Sequence, residues 1–183
     1  MTQFLEPDDA THQARSQWQH RGATRPKFAA APGPNQESVW DYPRPPRIEP
    51  YTGRVEIWFE ENCIASTTHA QRILETAGAP TYYLPPQDTR MEWLKESGTQ
   101  SFCEWKGLGV DLDLIFGVRS VAWTYPKVFP EFAAIQGWLA FYPARVKCLR
   151  DGLRVLPQPG HYYGGWVTDE VVGPFKGEPG IEG

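Results

Sequence analysis

The sequence predicts a mainly β protein with two short helices, a single domain of curved antiparallel sheets. Three observations predict it. Apolar residues alternate with period two in several short stretches after residue 54, turn-forming dipeptides separate those stretches, and only two segments carry helical spacing. The chain has 183 residues, 40 % hydrophobic and 14 % aromatic, which is enough apolar material for one core.

Residues 1–36 mix Gln, His, Arg, Asp and Ala without a sustained period and are expected to be a disordered tail. The domain is expected over residues 37–183, with its core at about 51–146. The lead-in, "SVWDYPRPPRIEP", carries four prolines and favours extended chain, pinned to the domain by Trp40 and Tyr42. In "RVEIWFEENCIAS", Val55, Ile57 and Phe59 alternate with polar or outward residues before a second apolar stretch, the pattern of a hairpin. "THAQRILETAGAP" places Ala70, Ile73, Leu74 and Ala77 at i, i+3, i+4 and i+7, with Thr67 or Thr68 before it and Gly78 and Pro80 after. This predicts a helix over 68–77.

A second helix is predicted in "DTRMEWLKES", capped by Asp88. In "VDLDLIFGVRSVAWTYP", Leu112, Leu114 and Phe116 share one strand face, and a two-residue turn at Gly117 and Val118 is expected to put Val121 and Trp123 on that same face. "GWLAFYP" reads as a further strand. Residues 147–183 are expected to be a hairpin turning at Asp151 and Gly152, followed by a Gly- and Pro-rich wrap of loop and edge rather than core.

Composition excludes several classes. With a net charge of −4 and scattered Lys and Arg, the chain has no basic footprint for nucleic acid or an anionic membrane. No apolar run approaches the roughly 18 residues of a spanning helix, and the N-terminus lacks the order of a secretion signal, so the expected location is cytoplasmic. Cys63, Cys103 and Cys148 form no CxxC pair, so neither a disulfide framework nor a zinc knuckle is expected, and no cofactor. Nothing in the sequence specifies an oligomeric state.

"SFCEWKGLGVDLDLIF", residues 101–116, admits three readings. Asp111 and Asp113 match the spacing with which nucleotidyltransferases hold magnesium, but no Gly-Ser helix start precedes them, and strand alternation with both aspartates facing solvent accounts for the pattern. Cys103 as a nucleophile would need a base and a positive neighbour, such as Lys106. The third reading makes residues 102–107 a pocket wall. Tyr83, Trp105, Trp123 and Tyr125 would then supply aromatic walls, while Arg72 and Lys106 hold an anion, with Glu75 orienting Arg72 from one helical turn away.

The segments "RILETAGAPTYYLPPQD", "FCEWKG", "AWTYP", "FYP" and "PQPGHYYGGWVTDEVVGPFKGEPG", with the proline-rich lead-in, resemble the domain of unknown function 427 family over residues 38–182. The resemblance implies a β-tent-like architecture, similar to zinc-knuckle proteins and methionine sulfoxide reductase B relatives but metal-free here. The family's nucleotidyltransferase-like label brings no motif with it. Its usual Cys-Pro-x-Lys-Gly motif is met by Cys103, Lys106 and Gly107, with Glu104 in place of proline. Arg72, Glu75, Tyr83, Cys103, Lys106, Trp123, Tyr125 and Tyr142 are the positions that match family motifs.

The leading expectation is therefore a small-molecule-binding domain with an aromatic-lined pocket for an anionic or polar ligand. Two alternatives stand beside it. One is an enzyme, working by acid–base chemistry at Glu75 and Lys106 or by metal-dependent transfer at Asp111 and Asp113. The other is a protein-interaction module using an outward-facing Trp58, unless the lead-in folds back over that ring.

Overall fold

In a computed structural model that describes residues 4–182, the chain is mainly β, with antiparallel sheets that do not close into a barrel. The strands are Glu37–Ser38 (β1), Arg47–Tyr51 (β2), Val55–Phe59 (β3), Asn62–Thr67 (β4), Ala70–Leu74 (β5), Thr81–Leu84 (β6), Leu94–Cys103 (β7) and Gly107–Leu114 (β8). They continue as Ala122–Val128 (β9), Leu139–Phe141 (β10), Lys147–Arg150 (β11), Leu153–Arg154 (β12), Leu156–Pro157 (β13), Trp166–Val167 (β14) and Val171–Val172 (β15). One α-helix, Asp9–Ser16 (α1), precedes them. No helix among the described residues is long and apolar enough to cross a membrane.

Seven strands form the larger sheet in the order β2-β5-β6-β10-β9-β8-β7, and β12-β11-β3-β4 form a smaller one. The main core gathers Val55, Ile57 and Ile64 of the small sheet with Tyr82, Leu84, Leu112, Leu114 and Phe141 of the large one. Strand alternation turns the next residues the other way. Ile73, Tyr83, Trp123, Tyr125 and Ala140 form a second apolar cluster on the opposite face, and that face carries the site.

The helix predicted over 68–77 is the strand β5. It lies between β2 and β6 and is hydrogen-bonded to both. Five residues cannot sustain a helix by propensity, and two flanking ladders satisfy their backbone groups instead. Both faces of this strand meet apolar neighbours, so Ile73 on one side and Ala70 and Leu74 on the other imitate a 3.6-residue period. The second predicted helix shrinks to a single 3-10 turn at Met91–Trp93 before β7 begins.

Three other expectations change. The N-terminal segment is not a tail without structure: Asp8 caps α1 by accepting from the Thr11 N–H, and the Leu5 N–H donates to the Val128 carbonyl. The β8–β9 connection is longer than a two-residue turn, so Phe116 is exposed in it, and Trp123 falls on the face opposite Leu112 and Leu114, while Val121 joins their core. Asp113 is buried at 6 % exposure, not on a solvent face, because its carboxylate accepts the Ser120 N–H at 2.8 Å and shapes that loop.

The β11–β12 hairpin turns as predicted, with Asp151 and Gly152 both at positive φ, 51° and 79°, as a type I′ turn requires. Trp40 and Tyr42 are buried and pin the lead-in. They pack with Leu74 and Val171 rather than over Trp58, which is half-buried beside a shallow groove shared with Pro143 and Lys147. The C-terminal wrap does reach the core, through Trp166.

Candidate functional site

On the second face of the large sheet lies a cavity of about 340 Å³. Period-two geometry builds it. Thr81 and Tyr83 project from β6, Trp123 and Tyr125 from β9, and Ile73 and Glu75 from the end of β5, each pair two residues apart and so on one face. Cys103 enters from the end of β7, Lys106 from the turn between β7 and β8, Tyr142 from just beyond β10, and Tyr163 and Lys176 from the C-terminal wrap.

The aromatic walls fix one another. The Trp123 indole N–H donates to the Tyr83 hydroxyl at 3.1 Å, and the Trp123 ring lies 4.4 Å, centroid to centroid, from Tyr142. The Tyr83 and Tyr125 rings are 6.4 Å apart. Such contacts hold the walls in place without a ligand. Burial pushes the Tyr83 hydroxyl up to about 12, so it stays protonated at neutral pH.

Charge concentrates at one end. Lys106 Nζ lies 3.3 Å from Glu75 Oε2, and Arg44 Nε lies 3.5 Å from Glu75 Oε1. Burial alone would raise the Glu75 carboxyl, but Lys106, Arg44 and Lys176 outweigh it and hold the carboxyl below its ordinary value. For Lys106 burial opposes charge, yet the Glu75 carboxylate beside it favours the ammonium and raises it above its ordinary value. The Cys103 thiol is raised by burial despite the Lys106 charge, which keeps it a thiol.

Seven of the nine residues singled out in the sequence line this cavity: Glu75, Tyr83, Cys103, Lys106, Trp123, Tyr125 and Tyr142. Two do not. Arg72 sits on the opposite face of β5, where it pairs with Glu37 at 3.0 Å and Glu49 at 2.9 Å, not with Glu75. Three residues is one turn of a helix but an odd step along a strand, so the change from helix to strand separates the two side chains. Trp105 is buried among Val128, Phe132 and Ile135, with the Arg15 guanidinium 5.3 Å from its ring.

Asp111 and Asp113 also lie outside the cavity. Among the described residues no three His, Cys, Asp or Glu side chains are grouped to hold a metal ion.

The sequence reading missed Trp18, Arg44, Gly164 and Lys176. Arg44 stands between two prolines, and its side chain is fully buried by contacts with the Thr76 and His20 carbonyls. Trp18 was one tryptophan in a polar segment, a signal of anchoring. Its indole N–H donates to Glu104 at 2.7 Å, and its ring lies 3.9 Å from both the Arg44 and the Lys176 charge.

Gly164 packs against the Trp123 ring so closely that an added Cβ would lie 2.1 Å from it. Gly164→Ala is expected to destabilise the protein by about 1–3 kcal/mol and to change the near-UV signal of Trp123, because the ring must move. Urea unfolding checks this. An unchanged midpoint and spectrum would mean that the loop yields instead.

Among curated proteins no match to the chain was found. A family model described as a domain of unknown function (DUF427) matches residues 47–152, which include Ile73, Glu75, Tyr83, Cys103, Lys106, Trp123, Tyr125 and Tyr142 but not Trp18, Arg44 or Lys176. The match spans more than half of the sequence, and the chain belongs to this DUF427 family.

Proposed function

We propose that this domain binds a small organic molecule with an anionic or polar group, in the aromatic cavity between β6, β9 and the β7–β8 turn. The observation that carries the reading is the cavity's composition: about 340 Å³ walled by Tyr83, Trp123, Tyr125 and Tyr142, with a half-buried Lys106–Glu75 pair at one end. Ligand sites have this size and this mixture of apolar walls with a few fixed polar groups.

Binding is favoured over acid–base catalysis by the charge state of the pair. A general acid or base works best with a pKa near the operating pH. Here Glu75 is held below its ordinary range and Lys106 above it, so each keeps its charge at neutral pH. The same environment leaves Cys103 protonated, which does not suit a nucleophile.

A thermal-shift screen of carboxylates, phosphate monoesters and nucleotides against the whole chain tests the reading. A compound that raises the midpoint is expected to lose most of that effect in Tyr142→Ala, which opens the wall. It should keep the effect in Arg72→Ala, which faces away from the cavity. No stabilising compound, or one equally effective on Tyr142→Ala, would count against the site.

A further inference from the structure

We infer that Lys176 forms an anion subsite in this cavity, and that the ligand is a small aromatic carboxylate whose oxyanion meets the Lys176 ammonium. The inference rests on the binding reading above and specifies its ligand class. Arg44, Lys106 and Lys176 gather at this end of the site with the carboxylates of Glu75 and Glu104. Glu75 is shared by Lys106 and Arg44. The Glu104 carboxylate accepts the Trp18 indole N–H.

Among the described residues, no carboxylate oxygen lies within 4.0 Å of the Lys176 ammonium. It faces rings instead, Trp18 at 3.9 Å and Tyr163 at 5.5 Å. Cation–π contacts attract the charge but do not neutralise it. Burial, the largest influence on Lys176, lowers its pKa despite the pull of Glu75, as expected for a partly desolvated cation short of anionic partners.

The backbone that carries the cation is also held in place. The Lys176 N–H donates to the Ala77 carbonyl at 2.7 Å, and its own carbonyl accepts from Gln158 Nε2 at 2.8 Å. Gln158 is fixed in turn, since its Oε1 accepts the Ala79 N–H at 2.8 Å. A side chain that starts from a fixed backbone and rests against the Trp18 and Tyr163 rings loses less freedom when an anion arrives. The walls of Tyr83, Trp123 and Tyr125 suit a ring, and a Lys176 ammonium without a carboxylate partner among the described residues suits a negative group.

Benzoate and uncharged benzamide distinguish this subsite from the cavity as a whole. In ¹H–¹⁵N titrations of the whole chain, benzoate is expected to shift the resonances of Gly164, Gly165 and Lys176 saturably and to bind at least ~10-fold more tightly than benzamide. Lys176→Gln should remove that preference, and Lys176→Arg should retain it. Equal affinity for the two probes, or a preference that survives in Lys176→Gln, overturns the anion subsite and leaves the cavity reading standing. Absence of saturable shifts at cavity residues with either probe overturns both.

Discussion

Glu75→Gln is expected to lower the unfolding free energy by about 3 kcal/mol, as removing one partner of a buried ion pair does. The loss falls at the lower end of that range because Glu75 keeps 24 % of its side-chain surface open to the cavity. Two cations depend on this one carboxylate, Lys106 at 3.3 Å and Arg44 at 3.5 Å, and neither gains another carboxylate when the charge is removed. The double variant Glu75→Gln with Lys106→Met should recover part of the loss, since it no longer strands the ammonium. Arg44 keeps its bonds to the Thr76 and His20 carbonyls. Urea unfolding at pH 7 measures both variants, and a double variant no better than the single would show that the two side chains are not coupled.

The sign of the pH dependence follows from the depressed Glu75 carboxyl. In the unfolded chain its pKa is the ordinary 4.5, and in the folded protein it is lower. The unfolded state therefore takes up the proton first as pH falls. The contribution of Glu75 is fully present above about pH 4.5 and is lost as pH drops from there through the folded value. Lys106 behaves in the opposite sense at the alkaline end: its contribution is present below the ordinary 10.5 and is lost as pH rises through the raised folded value. In Glu75→Gln the acid limb should be flatter than in the parent.

The strand regions and the site were legible to different degrees, for physical reasons. The β3–β4 hairpin and the Asp151–Gly152 turn depend on alternation and backbone conformation, which neighbouring residues specify. The β5 error came from a strand buried on both faces, where the pattern of apolar residues no longer reports the period. Yet most of the cavity residues survived that error. Tyr83, Trp123 and Tyr125 lie on strands the alternation identified or on segments marked by family motifs, whereas the proposed Arg72–Glu75 pairing depended on the wrong period and failed. Lys176, Arg44 and Trp18 reach the site from segments distant in sequence and irregular in conformation, so no local spacing announces them. Only the packing of the N-terminal segment and the C-terminal wrap onto the large sheet brings them together.

Trp166→Ala is expected to cost about 4 kcal/mol, within the range for a buried aromatic truncated to alanine. Trp166 is 1 % exposed and belongs to the main core, although it lies in the Gly- and Pro-rich wrap. Its ring lies 4.8 Å from that of Tyr82, its indole N–H donates to the Phe141 carbonyl at 3.1 Å, and its backbone N–H donates to the Pro80 carbonyl at 2.8 Å. Substitution therefore opens a cavity and also leaves the Phe141 carbonyl without that donor. A domain of ordinary stability has about 5–15 kcal/mol in total, so the variant should unfold at markedly lower urea with an intact but weakened transition. The same residue bears on the matched segment 47–152, which ends before Val155 and Trp166 and begins after Trp40. A fragment of those residues would leave the apolar surfaces around Tyr82, Phe141 and Leu74 uncovered. It should give a poorly dispersed NMR spectrum and no cooperative unfolding. A well-dispersed spectrum from that fragment would show that the wrap and the lead-in decorate a core able to fold alone, and it would reduce the expected effect of Trp166→Ala to that of a peripheral contact.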